Sequence, residues 1–100
     1  IVWEAQTLTG NVVWDFEYRT VGGNDTTSLD QASTEESVTV TDTAPGAAHR
    51  RLEATVALTA ANLAVDEEVE FFCARDGVDA ADTMAGSALL FNLLLQYTDA

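Results

Sequence analysis

The sequence predicts an all-β protein, an antiparallel β-sandwich with about six strands. One hundred residues suit a single domain. Apolar residues occupy every second position along most of the chain, which is the pattern of half-buried strands. Turn-forming residues separate these stretches at roughly the 8–12-residue spacing of sandwiches and barrels. We therefore expect the range 1–100 to form a single β-sandwich domain.

The first two strands are expected to form a hairpin. The range 1–6 alternates loosely, with Ile1, Trp3 and Ala5 on one face. The range 11–21 alternates strongly, and its inward face carries Val12, Trp14, Phe16 and Tyr18. Because Thr-Gly-Asn at 9–11 suits a tight turn, it would join the two strands.

The middle of the chain combines a polar loop with two expected strands. The range 22–36 is rich in Gly, Asn, Asp, Thr and Ser and is predicted to be a loop. The range 37–41 predicts a short strand with Val38 and Val40 inward. The range 49–59 predicts a longer strand, whose inward residues are Leu52, Ala54, Val56 and Leu58. A short helix at 60–64 is an alternative to a loop there.

Two further strands follow at 66–75 and 87–98, separated by a loop at 76–86. In the first, Val69, Phe71 and Cys73 share a face. The last segment is apolar on both faces, as in a central or interface strand, and one side carries Leu89, Phe91, Leu93, Leu95 and Tyr97. Its Ala and Leu content also suits a helix, with Asp82 as an N-cap. The expected core residues are Val12, Trp14, Phe16, Val56, Phe71, Leu89, Phe91 and Leu93.

The charge balance excludes two classes of partner. The chain carries 17 acidic residues against four arginines and no lysine, which gives a net charge of −13. Nucleic acids and anionic membrane surfaces need basic partners, so we expect neither. No apolar run reaches the ~20 residues that span a bilayer, and membrane insertion is not expected. An acidic surface suits a salty medium, where ions screen self-repulsion.

Catalytic residues are not expected. The single cysteine, Cys73, cannot form an internal disulfide, and nothing in the sequence brings it to the single histidine, His49. Glycosidases use paired carboxylates, and the chain has an acidic run at 66–70. Because Glu68 and Glu70 alternate on the outer face of a strand, the run is interpreted as a solvated face. We therefore predict a protein that is not an enzyme and has no cofactor.

One loop could supply ligands to a metal ion. Asp76, Asp79 and Asp82 offer three carboxylates, and Ca²⁺ prefers oxygen ligands. Their spacing does not fit the EF-hand pattern. The favoured alternative is that Asp82 accepts backbone N–H groups of the turn while Arg75 pairs with one of the acids. No metal ligand is therefore assigned, and Ca²⁺ remains an alternative.

Two features could point to glycans. Asn24-Asp25-Thr26 matches the acceptor pattern for N-glycosylation, but an ordinary polar turn is the favoured interpretation because short motifs often match by chance. Aromatic side chains stack on sugars, but the alternation places these ones in the core: Trp3, Trp14, Phe16 and Tyr18. A glycan site would therefore lie in the loop 22–36, where no residue can be singled out.

Several segments together resemble a known family. They are GNVVWDFEY at 10–18, GAAH at 46–49, RDGVDAADTMAG at 75–86, ALL at 88–90 and QY at 96–97. This order resembles tail-fibre and virion-surface proteins of tailed bacteriophages, in which a Gly-Asn-Val-x-Trp strand, a Gly-x-Ala-His turn, a strand ending in Arg and an Asp-Thr loop precede the last strand. The chain departs from that pattern at Met84, where an aromatic residue is usual, and at Gln96, where histidine is usual.

The resemblance implies a jelly-roll-like sandwich on the outside of a virion, used for host attachment or capsid decoration. It also implies that the last segment is a strand. A jelly roll has about eight strands. Since six are visible here, N-terminal strands or strands donated by a neighbour would complete the sheets.

The expected function is that of a non-enzymatic structural protein on the virion surface of a tailed phage, in the capsid or a tail fibre. Its expected partners are other virion proteins, copies of itself and a host-surface glycan. A homo-oligomer, with a trimer favoured, is expected because the last strand is apolar on both faces. The alternative is a carbohydrate- or receptor-binding β-sandwich that is not tied to a virus.

Overall fold

The computed structural model describes residues 1–22, 36–64 and 66–97. This part of the chain holds one short 3₁₀ helix, Ala60–Asn62. Its strands are β1 Val2–Ala5, β2 Asn11–Val21, β3 Glu36–Thr43, β4 Arg51–Glu53, β5 Glu68–Arg75 and β6 Ala88–Asn92. In the described ranges, no helix has the length and apolarity needed to cross a membrane.

The strands form two antiparallel sheets of three strands each. The strand order is β4-β1-β6 in the first, called the β1 sheet, and β3-β2-β5 in the second, called the β2 sheet. The sheets pack face to face through Trp3 and Trp14, whose ring centroids lie 5.9 Å apart in an edge arrangement. The prediction of an antiparallel β-sandwich with about six strands is confirmed.

Strand β2 carries most of the core because both of its edges are paired. Its register with β3 runs from Asn11 opposite Thr43 to Tyr18 opposite Glu36, and β5 covers the other edge. The predicted inward residues are all buried: Val12, Trp14, Phe16 and Tyr18. Val13, on the opposite face, is also buried. The loop after β5 lies along this end of β2, where Asp76 donates its N–H to the carbonyl of Val13 at 2.8 Å.

The predicted hairpin between the first two strands is wrong. Strand β1 pairs with β4 and β6, whereas β2 pairs with β3 and β5. The turn at Gly10 therefore carries the chain from one sheet to the other. Gly10 has a φ of 103°, and a Cβ there would lie 2.7 Å from the Cα of Met84. Only glycine fits this crossing without strain.

The strand expected at 49–59 is paired over Arg51–Glu53 alone. The alternation nevertheless continues beyond it. Ala54, Val56 and Leu58 are less exposed than Thr55 and Ala57. The range 54–58 therefore keeps the side-chain pattern of a strand without belonging to a ladder. A short helix was the alternative to a loop at 60–64, and the structure has a single 3₁₀ turn there, Ala60–Asn62.

The last segment begins as a strand, as the resemblance implied, and the helical alternative is wrong. Its register with β1 changes between Val2 and Trp3: Trp3 lies opposite Leu90, whereas Val2 lies opposite Asn92. This bulge inserts one extra residue into β6. The side chains on its two sides therefore follow opposite patterns of inward and outward positions. Before the bulge, Ala88 and Leu90 share the faces of Ala5 and Trp3, so the even positions point inward.

The expected core is therefore only partly correct. Val12, Trp14 and Phe16 are buried, and Val56 and Leu93 are half-buried. Three expected core residues are exposed: Phe71 at 39%, Leu89 at 42% and Phe91 at 58%. Leu89 lies opposite Glu4 on the outer face, because of the inverted alternation. Phe71 does face Phe16, at 5.4 Å between ring centroids, but an opening in the sandwich leaves it uncovered.

Candidate functional site

The opening beside Phe71 is an apolar cavity of about 490 Å³, called here the open slot. The ranges 53–58 and 93–97 form its two walls. Phe16 and Phe71 belong to the lining from the β2 sheet, and Ile1 from the start of β1. Ala60 and Leu63 complete the lining beyond the 3₁₀ turn. The slot therefore lies in the β1 sheet, between the chain that follows β4 and the chain that follows β6.

The direction of the strands explains why the slot is there. Strands β4 and β6 are both antiparallel to β1, so the chain beyond Glu53 and beyond Asn92 runs past the beginning of β1. The last bonds beside this ladder join Ile1 and Ala54: the Ala54 N–H donates to the carbonyl of Ile1, and the terminal ammonium group of Ile1 donates to the carbonyl of Ala54, each at 2.9 Å. Past this pair, 55–58 and 94–97 form no backbone hydrogen bond with any other described residue.

Most of the side chains that line the slot are apolar, and polar atoms contribute a smaller part of its surface. Leu95 is 54% exposed and Tyr97 is 81% exposed, although both follow a sheet strand. Glu53 is the one charged side chain in the described lining, and it pairs with Arg51 at 2.8 Å. Exposed apolar side chains such as these are unfavourable in water.

The loop with the three predicted carboxylates lies elsewhere, and it closes the opposite end of the sandwich. The Arg75 guanidinium donates to both carboxylate oxygens of Asp82, at 2.9 and 2.6 Å, and to the carbonyls of Met84 and Gly86. Asp82 also accepts the Val13 N–H at 3.1 Å. The hydrogen bond from Arg75 holds the pKa of Asp82 below its ordinary value. The prediction that Arg75 pairs with one of the acids is confirmed, whereas the backbone N–H that Asp82 accepts belongs to Val13 in β2 and not to the turn.

The other two carboxylates of this loop accept backbone N–H groups within the turns that contain them. Asp76 accepts the Val78 N–H at 3.3 Å, and Asp79 accepts the Ala81 N–H at 2.8 Å. Among the residues with described positions, no group of three or more His, Cys, Asp or Glu is placed to hold a metal ion. Ca²⁺ binding by this loop stays an untested alternative.

The single cysteine and the single histidine are not brought together. His49 lies on the outside, where its Nδ1 is 2.7 Å from Glu4 Oε1. Cys73 lies opposite Phe16 in the β2 sheet and packs against the core. Burial raises the pKa of the Cys73 thiol, which disfavours the reactive thiolate.

The acidic run at 66–70 includes carboxylates on a solvated face. Glu68 is exposed, and Glu70 pairs with Arg19 at 2.9 Å on the outer face of the β2 sheet. These carboxylates do not line the open slot. Asn24-Asp25-Thr26 and most of the loop 22–36 lie at 23–35, outside the described residues.

One polar cluster was not foreseen from the sequence. The buried Tyr18 donates its hydroxyl proton to Glu36 at 2.6 Å, and Asn62 Nδ2 donates to the same carboxylate oxygen at 3.2 Å. The Tyr18 hydroxyl also accepts the Thr59 N–H at 3.1 Å. The hydrogen bond from Tyr18, followed by one from Thr59, lowers the pKa of Glu36. This cluster anchors the 3₁₀ turn to the β2 sheet beside the open slot.

The comparisons with known proteins found no match: no family model, no curated protein and no solved structure is similar to this chain. The aromatic residues that could have stacked on sugars are buried, as the alternation predicted: Trp3, Trp14, Phe16 and Tyr18. The exposed apolar surface around β6 and the open slot is therefore the candidate functional site.

Proposed function

We propose that the chain is a non-enzymatic structural domain of a virion surface, in the capsid or a tail fibre of a tailed phage, and that it works by binding other protein chains. The observation that carries this proposal is the exposed apolar row along β6. Leu89 and Leu90 are each 42% exposed, and Phe91 is 58% exposed.

The position of β6 makes this row a binding surface. The order β4-β1-β6 leaves β6 at the edge of its sheet among the described strands. An edge strand offers unpaired N–H and C=O groups to another chain, and proteins usually protect such edges with charges or proline. The range 88–91 has neither. Its apolar side chains and its free backbone groups therefore favour pairing with a second chain.

Copies of the same chain are the first partners we propose, with a trimer favoured. The same edge is present on every copy, so self-association needs no additional component. The net charge of −13 opposes association at low ionic strength. Salt screens this repulsion within about 10 Å at 0.1 M, so the assembly should strengthen as salt is added.

The virion setting rests on the resemblance of the chain to phage surface proteins. Two of the resembling segments contact each other, since Gly10 packs against Met84 and Val13 bonds to Asp82. These contacts support the fold, which is the role expected of a structural domain.

Light scattering of the chain at low and high salt tests the proposal. We expect an oligomer that grows more stable with salt and that Phe91→Ser converts to a monomer. Val78→Ser is the matched control, because Val78 is 96% exposed in a turn away from β6. A folded monomer at both salt concentrations would contradict self-association through β6.

A further inference from the structure

We infer that Asp76 is a site of spontaneous chemical modification, at which the backbone nitrogen of Gly77 attacks the Asp76 side chain and converts this residue to isoaspartate. The inference does not rest on the proposed function, because it concerns only the loop that follows β5. Asp76-Gly77 is the one place in the sequence where Asp or Asn precedes glycine. A side chain on the following residue hinders the attack, and glycine has none.

The reaction needs water and no other reagent. The Gly77 nitrogen forms a bond to Cγ of Asp76, the Cγ–O bond of the protonated carboxyl group breaks, and a water molecule leaves with the proton of the nitrogen. The resulting cyclic imide, a succinimide, is opened by another water molecule at either of its carbonyl carbons. Opening at Cγ restores aspartate. Opening at the former backbone carbonyl gives isoaspartate, in which the chain runs through the side-chain methylene.

The side chain of Asp76 already lies over the peptide that follows it. Its Oδ1 accepts the Val78 N–H at 3.3 Å, so the carboxyl group turns forward along the chain past Gly77. Because the Gly77 nitrogen lies between these two groups, rotation about the Cα–C bond of Asp76 brings it toward Cγ. The approach is unobstructed, since Gly77 is exposed and a Cβ there would meet nothing within 4 Å.

The peptide between Asp76 and Gly77 is held loosely. Its carbonyl accepts the Asp79 N–H at 3.3 Å, which exceeds the usual ~2.7–3.2 Å of such hydrogen bonds. Its N–H donates to no backbone acceptor among the described residues. The next side chain, Val78, is 96% exposed. The attacking nitrogen can therefore turn without breaking a strong hydrogen bond or a packed contact.

Asp79 provides a matched comparison within the same loop. Its Oδ1 accepts the Ala81 N–H at 2.8 Å, so its carboxyl group also turns forward along the chain. The next residue is Ala80, whose Cβ hinders the approach of the nitrogen to Cγ. The carbonyl of Asp79 accepts the Asp82 N–H at 3.0 Å, a shorter bond than the one at Asp76. We therefore expect Asp76 to react well before Asp79.

Isoaspartate at position 76 should weaken the loop that closes this end of the sandwich. The chain between Arg75 and Gly77 becomes longer by one methylene, and the former carbonyl of Asp76 becomes a free carboxylate. The Asp76 N–H bonds to Val13 at 2.8 Å, directly beside Arg75, whose guanidinium binds Asp82 and two loop carbonyls. We therefore expect a lower melting temperature for the modified protein.

Incubation of the folded chain at neutral pH, followed by peptide mapping, tests the inference. Isoaspartate has the same mass as aspartate but carries a free α-carboxylate, so enzymatic carboxyl methylation counts it and fragmentation of the peptide locates it. We expect isoaspartate to accumulate at position 76 at least about tenfold faster than at Asp79, a difference of ~1.4 kcal/mol in barrier height. The succinimide, which is lighter by one water molecule, should precede it.

Two exchanges between glycine and alanine sharpen the test. Gly77→Ala should slow isoaspartate formation at position 76 at least about tenfold, and its fold should be preserved because its Cβ meets no neighbour. Ala80→Gly should raise the rate at Asp79 toward that of Asp76, because both carboxyl groups turn forward. Incubation should lower the melting temperature of the native chain and leave that of Gly77→Ala unchanged.

Four results would overturn the inference. Equal rates at Asp76 and Asp79, or an unchanged rate in Gly77→Ala, would show that glycine does not direct the reaction. An Asp79 that stays unmodified in Ala80→Gly would show the same. Isoaspartate that forms only in chain unfolded by urea would show that the folded loop protects Asp76.

Discussion

At one end of the sandwich Trp3 and Trp14 are buried together with Met84, whereas at the other end Phe71 is partly exposed beside two unpaired stretches of chain. The closed end also pairs several of its polar groups, although Nε1 of Trp14 is buried there without a hydrogen-bond partner. Trp3 Nε1 donates to Asp42 at 2.8 Å, and Arg75 bonds to Asp82 and to loop carbonyls. At the open slot the apolar side chains are less covered, and 55–58 and 94–97 form no backbone hydrogen bond with any other described residue. The comparison shows that this fold concentrates its packing at one end and leaves apolar side chains uncovered at the other.

The largest expected effect is the loss of a closed-end aromatic. Trp3 is fully buried between the sheets, and Trp3→Ala removes its ring contact and its hydrogen bond to Asp42. We expect a loss of about 3–5 kcal/mol in the free energy of unfolding, measured by urea denaturation. A loss below about 1 kcal/mol would show that the closed end does not hold the fold together.

A smaller effect is expected at the ion pair that closes the loop. Asp82 is buried and accepts two hydrogen bonds from Arg75, so Asp82→Asn should cost about 1–3 kcal/mol at neutral pH. Asp76→Asn is the matched control in the same loop, because its carboxylate accepts only the long bond from Val78. Equal losses for the two variants would contradict this role of Asp82.

The same variant has a predictable pH dependence. The folded pKa of Asp82 is lowered, so its contribution is complete above the ordinary carboxyl pKa of about 3.9 and disappears as pH falls through the folded value. The difference in unfolding free energy between the native chain and Asp82→Asn should therefore shrink with acid. Denaturation curves at pH 7 and near pH 3 would measure it, and a constant difference would contradict the lowered pKa.

Gly10 offers a test of the crossing between the sheets. Its φ of 103° disfavours any side chain, and a Cβ would lie 2.7 Å from the Met84 backbone. Gly10→Ala should therefore cost more than about 1 kcal/mol by thermal denaturation. Gly77→Ala is the matched control, because a Cβ there meets nothing within 4 Å and should change stability by less than about 1 kcal/mol. If Gly10→Ala left the stability unchanged, the backbone at this crossing between the sheets would be able to adjust to a side chain.

The smallest effect is expected at the open slot. Leu95 is 54% exposed on an unpaired wall, so Leu95→Ala should cost less than about 1 kcal/mol in the isolated chain. Urea denaturation would measure this loss. If Leu95→Ala lowered the free energy of unfolding as much as Trp3→Ala does, the side chain of Leu95 would have to be packed in the isolated chain.

The sequence predicted the fold class and strand β2 well because period-two alternation reports burial directly. It did not predict which strands pair. Gly10 was assigned to a hairpin, since a local turn signal does not distinguish a hairpin from a crossing between sheets. The alternation in the last segment was also misjudged, because the bulge between Val2 and Trp3 inverts it and has no signal in β6 itself.

The candidate site was harder to predict than the fold. Val56 and Leu58 alternate in the same way whether or not a neighbouring strand pairs with them, so the sequence cannot show that the ladder stops at Ala54. The partnership of Arg75 with Asp82 could be foreseen because opposite charges flank one short loop. The cluster of Tyr18, Glu36 and Asn62 joins distant parts of the chain and could not be foreseen.

Native-state hydrogen exchange of the isolated chain tests the contrast between the two ends most directly. Amides in the core of β2, such as those of Trp14 and Phe16, should exchange only through large-scale unfolding. Those of Val56 and Leu58 should exchange at least about a hundredfold faster, since neither donates a backbone hydrogen bond to another described residue. Similar protection at both places would contradict the account, because it would show that these amides are already hydrogen-bonded.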